Sequence, residues 1–468
     1  MPAPARRVAL SVLVRVEGEG AFAPLALDAE AREARLAPRD RRLATELVYG
    51  TLRWRGRLDH LLAPFSSRPW SSLSPWVRNA LRLAAYQVLF LRSVPAAVAG
   101  DECVALVKER ERWAAGFANA VFRAFLRGWE QVSFPDPATE PVAYIAAWHS
   151  HPEWLVRRWC ARFGAEACAA LCSANNAVPP LTLRVNLTRT DAGRLRAALE
   201  ANGARVEPGR LVPEALTVHG TGGVESLPGF AQGHFQVQDE SSQLVAWVVD
   251  PPAGGRTVDL CAAPGGKATH LAERLLAAGG PDAGAAEPRI YAYDLHPRRL
   301  GLIAQNARRL GVDGVIRLEA RDAAAVTAEE VGHFERVLLD APCSGTGVLR
   351  RRPDLRWQKS TGEIASLVAA QRRLLAGAAR LVAPGGALVY TTCSLEPEEN
   401  EENAAWFLRE HADFRPAPLR PLLPPPAGRH FTDERFSLEG SALQLLPHVD
   451  GVDGFFIFRA VRAPRVDS

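Results

Sequence analysis

The sequence has few cysteines, few lysines and no long apolar run. Seven cysteines in 468 residues are too sparse for a disulfide-stapled scaffold, so reduced thiols and a cytoplasmic protein are expected. No apolar stretch reaches the ~18 residues that a membrane helix needs. Arg15 and Glu17 interrupt the short apolar stretch near the start, which argues against a signal peptide. Hydrophobic residues make up 47% and charged residues 23%, which excludes a disordered protein.

Basic residues are concentrated in the first 130 positions. This segment holds 20 Arg or Lys against 13 Asp or Glu, whereas the remaining 338 residues hold 36 against 39. A basic segment on a near-neutral body is typical of a polyanion-binding module, although a solvated helical surface has the same composition. Only three residues are Lys, and this bias towards Arg is consistent with genome composition, so Arg usage itself gives no argument for RNA.

Three residue patterns follow one another along a chain whose length corresponds to about three domains. Residues 1–140 carry apolar residues at helical spacing, among them Val8, Val12 and Val16, and predict an all-α bundle that ends in a proline-rich linker. Residues 145–232 combine helices with strands such as LTLRVNLT and ALTVHG, and predict a small α+β domain.

Residues 233–468 repeat strand, loop and helix. This pattern predicts an α/β Rossmann-like domain, with a mostly parallel sheet covered by helices on both faces. The predicted strands are 256–261, 289–295, 314–320, 336–342, 386–394 and 454–461, with helices between the first five. Ligands of such sheets bind at the carboxyl ends of the strands, so the residues directly after each strand are the candidates for function.

The first three strand ends predict a nucleoside site. Gly265 and Gly266 allow a tight turn and a close approach of the backbone to a ligand, in a loop that differs from the GxGxxG fingerprint. Asp294 is placed to accept hydrogen bonds from ribose hydroxyls, and Asp322 to meet an adenine amino group. One such Asp is usually a turn or cap residue, but three successive features favour a ligand site. The full loop is Cys261, Ala262, Ala263, Pro264, Gly265, Gly266 and Lys267.

Two cysteines follow the fourth and fifth strands. Cys343 lies in DAPCSGTG (340–347) and Cys393 in TTCS (391–394), where this fold places its chemistry. Cys261 is interpreted as structural, because it adjoins the glycine loop. The remaining cysteines are interpreted as small buried hydrophobic residues, and no His completes a zinc set near them, so no metal is expected: they are Cys103, Cys160, Cys168 and Cys172.

Together these motifs resemble those of the RNA 5-methylcytosine methyltransferases that use S-adenosylmethionine. CAAPGGK, DAPCSGTG and TTCSLEPEENE occur in the family's order, and RRRPDLRW (350–357), VQDESSQ (237–243) and DGFFIFRA (453–460) strengthen the resemblance. The basic helical segment is similar to the NusB-like domain of the bacterial RsmB/Sun type, which methylates a cytosine in 16S ribosomal RNA. The resemblance covers essentially the whole chain, motif by motif in the catalytic half and by domain layout in the first 230 residues.

The resemblance implies covalent catalysis and assigns its residues. A thiolate adds to C6 of cytosine, so that C5, otherwise a poor nucleophile, can attack the methyl group. The family's nucleophile corresponds to Cys393, the cysteine that assists product release to Cys343, and the N3 contact to Asp340. The residues alone leave the two cysteines interchangeable, because DNA cytosine methyltransferases carry the nucleophile in a PC motif, which favours Cys343.

The same resemblance implies the cofactor, S-adenosylmethionine. The 261–267 loop is expected to wrap its methionine and ribose part, with Asp294 at the ribose hydroxyls, Asp322 at the adenine, and Asp340 also nearby. Lys267 is expected to serve either the cofactor carboxylate or the active site.

The implied partner is naked 16S ribosomal RNA, bound by a monomer. The target base has to be unstacked or flipped out of the folded RNA. Arginines around Trp54 are candidates for contacts with the RNA backbone: Arg39, Arg41, Arg42, Arg53, Arg55 and Arg57. A second group of arginines is expected either to supply positive potential to the nucleophilic thiol or to contact phosphate: Arg350, Arg351 and Arg352.

Three other functions stay open at this point. The catalytic motifs are compatible with another RNA, such as transfer RNA or a different ribosomal site, and only the N-terminal segment argues against it. A non-catalytic RNA-binding or antitermination factor is disfavoured by the presence of Asp340, Cys343 and Cys393. A small-molecule methyltransferase or a nucleotide oxidoreductase is disfavoured by the two cysteines and the two additional domains.

Overall fold

The computed structural model describes residues 3–91, 93–220, 222–279 and 289–465. The chain divides into two compact units. The first contains the residues up to Val178 together with Leu349–Lys359, and the second contains Pro179–Val348 together with the residues from Ser360 onward. The first unit is therefore built from two separate stretches of sequence.

The first unit is helical, which confirms the predicted N-terminal fold. Apolar residues of α1, including Val8, Val12 and Val16, are buried in one core that the first six helices share. Several helices begin with Pro, at the position where the missing N–H removes no hydrogen bond. Helices α1–α9 are Pro4–Glu19, Ala23–Glu33, Pro38–Leu62, Pro75–Phe90, Ala96–Arg110, Ala115–Gly128, Pro141–Trp148, Glu153–Phe163 and Ala165–Asn176.

The second unit contains two sheets. The smaller is antiparallel in the order β2-β3-β1-β4 and packs with the first helix of this unit around Leu183, Leu195 and Leu199. Its strands β1–β4 are Leu181–Val185, Arg205–Pro208, Ala215–His219 and Phe235–Val237. The sequence predicts β1 and β3 but not β2 and β4, because runs of three or four residues are too short to show a clear alternation.

The larger sheet has the order β11-β12-β13-β9-β8-β5-β6-β7, with β10 beside β13. Strands β9, β8, β5, β6 and β7 are parallel, whereas β13 runs antiparallel to β9. Strands β5–β13 are Thr257–Asp259, Ile290–Asp294, Ile316–Ala320, Phe334–Asp340, Val382–Thr392, Phe414–Pro416, Phe436–Ser437, Ala442–Leu445 and Phe455–Arg462. All six predicted strands are present, and five of them form the predicted parallel part. The complete sheet is mixed, because β10, β11, β12 and β13 add antiparallel pairings at one side.

Helices cover both faces of the larger sheet. Along β8, Leu338 faces a core with α11 and α12, whereas Val337 and Leu339 face a core with α15 and α16. Helices α10–α18 are Ala192–Ala201, Glu240–Val249, Gly266–Ala277, Pro297–Leu310, Leu355–Gln358, Thr361–Leu381, Glu401–Glu410, Pro425–His430 and Pro447–Asp450, of which α14 belongs to the first unit. No helix within the described ranges has both the length and the apolar character of a membrane span.

One predicted helix is wrong. Residues 321–333, between β7 and β8, are all described and contain only a 3₁₀ turn at Ala328–Glu330. Thr327 caps this turn, and its hydroxyl donates to Glu330 Oε2 at 2.7 Å. Gly332 then adopts a φ of +70°, which ends the turn before a helix can extend.

The segment Leu349–Lys359 is integrated into the first unit through buried hydrogen bonds. Arg356, which is 1% exposed, donates to the carbonyl oxygens of Arg53 and Ser150 at 3.1 and 2.9 Å. Trp357 Nε1 donates to the carbonyl of Leu52 at 2.7 Å. The second sequence stretch is thus a structural part of this unit.

A buried ion network joins α1, α3 and α4. Glu17 accepts hydrogen bonds from Arg55, Arg78 and Arg82 at 3.1, 2.8 and 2.8 Å. Arg82, which is 2% exposed, also binds Asp59 at 2.6 Å. Burial raises the pKa of Glu17, but the positive charges of Arg82, Arg55 and Arg78 outweigh burial, so the net pKa is lowered.

We expect Glu17→Gln to lower the free energy of unfolding by about 3 kcal/mol at pH 7, because three arginines lose a buried counter-charge. Since the folded pKa of Glu17 is lowered, its stabilising contribution is fully present above the unfolded pKa of about 4.3 and is lost as the pH falls through the folded value. Denaturant unfolding followed by circular dichroism therefore shows a difference from wild type that shrinks below about pH 4.

The matched control is Glu19→Gln, on the exposed side of the same helix, where the Arg15 ion pair is open to solvent. This variant is expected to unfold like wild type. Equal stability of Glu17→Gln and wild type at pH 7 would contradict the role of the network.

Candidate active site

The carboxyl ends of five neighbouring parallel strands meet at one edge of the larger sheet. The register pairs Asp340 of β8 with Thr391 of β9, and β5 lies on the other side of β8. The loops that follow these strands therefore come together, and they carry the site residues predicted from the sequence. This is the edge at which ligands of parallel sheets bind.

The glycine loop 261–267 connects β5 to α12. Gly265 has a φ of +102°, and a Cβ at this position would lie 3.0–3.3 Å from Ile303, so both the conformation and the space require glycine. Asn306 Nδ2 on α13 donates to the carbonyl of Pro264 at 3.2 Å and holds the loop in place. Within the loop, Ala262 and Gly265 are buried, Cys261, Ala263, Gly266 and Lys267 are half-buried, and Pro264 is exposed.

Two further predicted carboxylates lie at the ends of β6 and β7. Asp294 is buried, and its Oδ1 accepts a hydrogen bond from the His296 amide at 3.0 Å. Asp322 is half-buried, and its Oδ1 accepts from the Ala324 amide at 2.9 Å. In both cases the amide two residues along the chain fixes the carboxylate at the sheet edge.

Asp259, at the end of β5, was not predicted from the sequence as a site residue. It is 1% exposed, and no side chain in the described ranges donates to it. Burial, with the charge of Asp340, raises its pKa to about 7, against the opposing effect of Lys267. A buried carboxylate without a side-chain donor fits a cationic ligand group, such as the ammonium of S-adenosylmethionine. The sequence pattern that could have identified Asp259 is an acidic residue at the end of a strand, the same pattern that identified Asp294.

The structure brings Cys343 and Cys393 together. Their sulfur atoms are 3.3 Å apart, and both side chains are half-buried. The Gly347 amide donates to the carbonyl of Cys393 at 2.9 Å, which ties the two loops together. The hydrogen bond with Cys393, together with burial and the charges of Cys393 and Glu399, raises the pKa of Cys343 well above its ordinary value. The thiol form of Cys343 is therefore favoured.

Asp340 is held between a cation and a hydroxyl. Its Oδ2 accepts from Lys267 Nζ at 2.7 Å, and its Oδ1 accepts from Thr391 Oγ1 at 2.9 Å. Burial lowers the pKa of Lys267, but the charge and hydrogen bond of Asp340 outweigh burial, and Cys393 adds to the same effect, so the net pKa is raised. Lys267 is thus an ammonium paired with the Asp340 carboxylate. The Phe455 ring, 5.1 Å from Nζ, covers its other side.

Of the remaining cysteines, Cys261 belongs to the glycine loop and the other four belong to the first unit. Burial raises the pKa of the Cys261 thiol, so it stays protonated. Cys168 Sγ donates to the Val156 carbonyl at 3.7 Å, and Cys103 and Cys172 are buried while Cys160 is half-buried. Within the described part of the chain, no three His, Cys, Asp or Glu side chains are grouped as a metal ion would require.

The arginines predicted around Trp54 form two groups. Three are exposed, of which Arg41 also pairs with Asp28 at 2.8 Å: Arg39, Arg41 and Arg42. Three have partners within the first unit: Arg53 donates to the carbonyl of Arg350, Arg55 pairs with Glu17, and Arg57 lies 4.0 Å from the Trp148 ring centroid. In the second predicted group, Arg350 is buried and Arg352 pairs with Asp354 at 3.1 Å.

Family models match three parts of the chain. Residues 246–460 match the 16S rRNA methyltransferase RsmB/F, residues 3–127 match the NusB family, and residues 151–225 match the ferredoxin-like domain of RsmF/B-like methyltransferases. The order of these matches agrees with the order of the predicted folds.

Curated relatives are similar over almost the full chain. A probable ribosomal RNA small subunit methyltransferase B of Bacillus subtilis is 38% identical, over 97% of both chains. A probable ribosomal RNA small subunit methyltransferase B of Synechocystis is 34% identical, over 98% of this chain and 99% of the relative.

Solved structures are similar as well. The structure of PH0851 aligns with a TM-score of 0.76 and 26% identity, over 98% of this chain and 99% of that one. NSun6 from Pyrococcus horikoshii with SFG aligns with a TM-score of 0.56 over 67% of this chain and 99% of that one, and at 21% identity this likeness shows the fold alone. The chain belongs to the RsmB/F family of 16S ribosomal RNA methyltransferases, and is an S-adenosylmethionine-dependent RNA methyltransferase.

Proposed function

We propose that this protein transfers a methyl group from S-adenosylmethionine to C5 of a cytosine in 16S ribosomal RNA, through a covalent bond between Cys393 and C6 of the base. The observation that carries the proposal is the pair of thiols, 3.3 Å apart, beside the Lys267–Asp340 ion pair at the cofactor edge of the sheet. Transfer to an oxygen or an amine needs no thiol, whereas transfer to C5 of cytosine needs a nucleophile at C6.

The residues at the sheet edge fit the cofactor. The 261–267 loop would follow its methionine and ribose part, Asp294 would accept from the ribose hydroxyls, and Asp322 would accept from the adenine amino group. Asp259, with Asp340 close by, offers negative charge to the ammonium group. S-adenosylmethionine, when bound, supplies an electrophilic methyl group.

Cys393 is the nucleophile in this proposal because it occupies the position of the family's nucleophile, and the raised pKa of Cys343 keeps that second thiol protonated. Cys393 releases its thiol proton to solvent, its sulfur adds to C6, and negative charge moves through the ring to N3. Asp340 lies beside N3, and its bond to Lys267 connects N3 to a protonated group at 2.7 Å. A proton passed along this bond neutralises the developing charge and leaves C5 electron-rich.

Cys343 acts at the end of the reaction. Once the C5 proton has been lost to solvent and the N3 proton has returned through Asp340 to Lys267, the bond between C6 and Cys393 breaks and the sulfur leaves as a thiolate. Cys343 carries its proton 3.3 Å from that sulfur, so it donates a hydrogen bond to the leaving group. This geometry supports a product-release role for Cys343 and explains why two thiols are present.

The helical first unit contributes exposed arginines for the RNA backbone: Arg39, Arg41 and Arg42. The base has to leave its stack to reach Cys393, which favours a loop or a free strand over a paired helix. We propose free 16S ribosomal RNA as the substrate and a monomer as the active form, in line with the small-subunit names of the relatives.

The covalent step is tested with 16S ribosomal RNA that contains 5-fluorocytosine, since fluorine at C5 blocks the final elimination. In the presence of S-adenosylmethionine, wild type is expected to give a protein–RNA band that survives denaturation, and Cys393→Ala none. With natural cytosine, Cys343→Ala is expected to accumulate the adduct, because the leaving sulfur lacks its donor, and to lose about 100-fold in turnover.

The control for these variants is Cys160→Ala, which removes a thiol in the first unit and should behave like wild type. An adduct that is lost in Cys343→Ala and retained in Cys393→Ala would reverse the roles of the two cysteines. Absence of the adduct in wild type with bound cofactor would refute the covalent mechanism.

Cofactor binding is tested without RNA. Asp294→Asn is expected to weaken S-adenosylmethionine about tenfold in isothermal titration calorimetry, because a neutral amide is a weaker acceptor for two ribose hydroxyls. Asp313→Asn, at an exposed turn of the same domain, serves as the matched control and should retain wild-type affinity. Equal affinity of Asp294→Asn and wild type would place the ribose elsewhere.

The RNA target is tested by bisulfite sequencing after incubation with free 16S ribosomal RNA, with assembled small subunits and with transfer RNA. Methylation of one cytosine in the free 16S RNA is expected, since the base is accessible before assembly. Methylation of transfer RNA alone would retain the enzyme class and overturn the proposed substrate.

A further inference from the structure

A buried carboxylate connects the two cysteine loops. Glu399 lies in a 3₁₀ turn, Pro397–Glu399, six residues after Cys393, and its side chain is completely buried. Its Oε1 accepts from the amide of Ser344 at 2.9 Å, and its Oε2 accepts from the hydroxyls of Ser344 and Ser394. Ser344 directly follows Cys343, and Ser394 directly follows Cys393. One carboxylate therefore binds the residue next to each thiol.

The surrounding bonds leave this carboxylate little freedom. The two serine hydroxyls are 3.0 Å apart, so the loops meet at the carboxylate itself. Gln371 Nε2 donates both to Glu399 Oε1 at 2.9 Å and to the carbonyl of Pro342 at 3.0 Å, which fixes the residue before Cys343 as well. A carboxylate that accepts four hydrogen bonds is a strong and directional anchor.

Glu399 also places a negative charge near one of the two thiols. Its charge contributes to the raised pKa of Cys343, after the hydrogen bond with Cys393, burial and the charge of Cys393. Lys267, by contrast, interacts electrostatically with Cys393. The two thiols thus lie in different electrostatic environments although they are in contact.

We propose that Glu399 is a positioning residue for the methyl transfer: through Ser344 and Ser394 it sets the separation of the two sulfur atoms, and it places a buried negative charge beside the residue that follows Cys343. The inference rests on the proposed roles of the two cysteines. Glu399 acts through its neighbours, and a shift of about 1 Å between reacting groups can cost about 100-fold in rate.

Two variants separate charge from geometry. Glu399→Gln keeps the size of the side chain and removes the charge, whereas Glu399→Asp keeps the charge and shortens the reach to the serines. Alkylation by iodoacetamide, in the absence of RNA and cofactor and with peptide mass spectrometry to identify the modified cysteine, reports the charge effect. In Glu399→Gln, the alkylation rate of Cys343 at pH 7 relative to Cys393 is expected to rise about tenfold, the effect of one pKa unit. In Glu399→Asp the wild-type order is expected to persist.

Steady-state kinetics report the geometric effect. Both variants are expected to lose about 100-fold in kcat with an unchanged KM for RNA, because the contacts with RNA are untouched. The matched control is Glu240→Gln, which makes the same change at another buried carboxylate, one that accepts from the amides of Leu211 and Val212. This control is expected to retain both the alkylation order and kcat.

A folded Glu399→Gln protein with wild-type alkylation order and wild-type kcat would overturn the proposal. Should this variant fail to fold in circular dichroism, Ser394→Ala and Ser344→Ala make the same test, since each removes one hydroxyl that donates to Glu399 and leaves the carboxylate in place. Both are expected to lower kcat without changing the alkylation order, and wild-type kcat in both would also overturn the proposal. Failure of wild type to form the 5-fluorocytosine adduct would instead refute the proposed function, whatever the alkylation results.

Discussion

The pairing of β8 with β9 is the constraint on which the site depends. Because the two strands are parallel and in register, Asp340 lies opposite Thr391, and the loops that carry Cys343 and Cys393 begin side by side. Each backbone bond in this ladder contributes only about 1 kcal/mol, but together they fix a relation between residues fifty positions apart. A one-residue slip in register would turn every side chain of β9 to the opposite face, and the two thiols would separate.

The chemistry of the site depends on how charged side chains are arranged at this edge of the sheet. Lys267 is the cation among Asp340, Asp259 and Cys393, and its raised pKa keeps it protonated in a site that would otherwise repel a nucleophilic thiolate. Removal of any one buried charge leaves its partners uncompensated. The arrangement therefore has to be complete before it can hold a cofactor that is itself positively charged.

Much of this could be predicted from the sequence, for a physical reason. In a parallel sheet, ligands bind at the carboxyl ends of the strands. An apolar run followed by Gly, Asp or Cys therefore indicates both the strand and the site residue. The predictions for Asp294, Asp322, Cys343 and Cys393 used this rule, and the structure brings all four to one edge of the sheet. Their roles in catalysis and binding stay predictions.

What could not be predicted depends on contacts that no local pattern encodes. Glu399 lies in an acidic stretch of sequence, a pattern typical of a solvated surface. It is nevertheless completely buried, with Ser344, Ser394 and Gln371 donating hydrogen bonds to it. The sequence suggests that Arg53 and Arg55 are available for RNA contacts, but Arg53 donates to the carbonyl of Arg350 and Arg55 pairs with Glu17. The prediction of a helix before β8 is wrong because Thr327 caps a 3₁₀ turn and Gly332, five residues later, ends it after a single turn.

The segment Leu349–Lys359 shows that the helical unit is built from more than the first 178 residues. It follows the loop of Cys343 in sequence, but its polar groups find partners within the first unit. Arg356 donates to three backbone carbonyls and to the side-chain oxygen of Asn176, so it depends on acceptors that folded helices present. A chain without the first 178 residues would leave this arginine and Trp357 without these acceptors, next in sequence to the loop of Cys343. Folding of the helical unit is therefore a condition for an ordered chain directly after that loop.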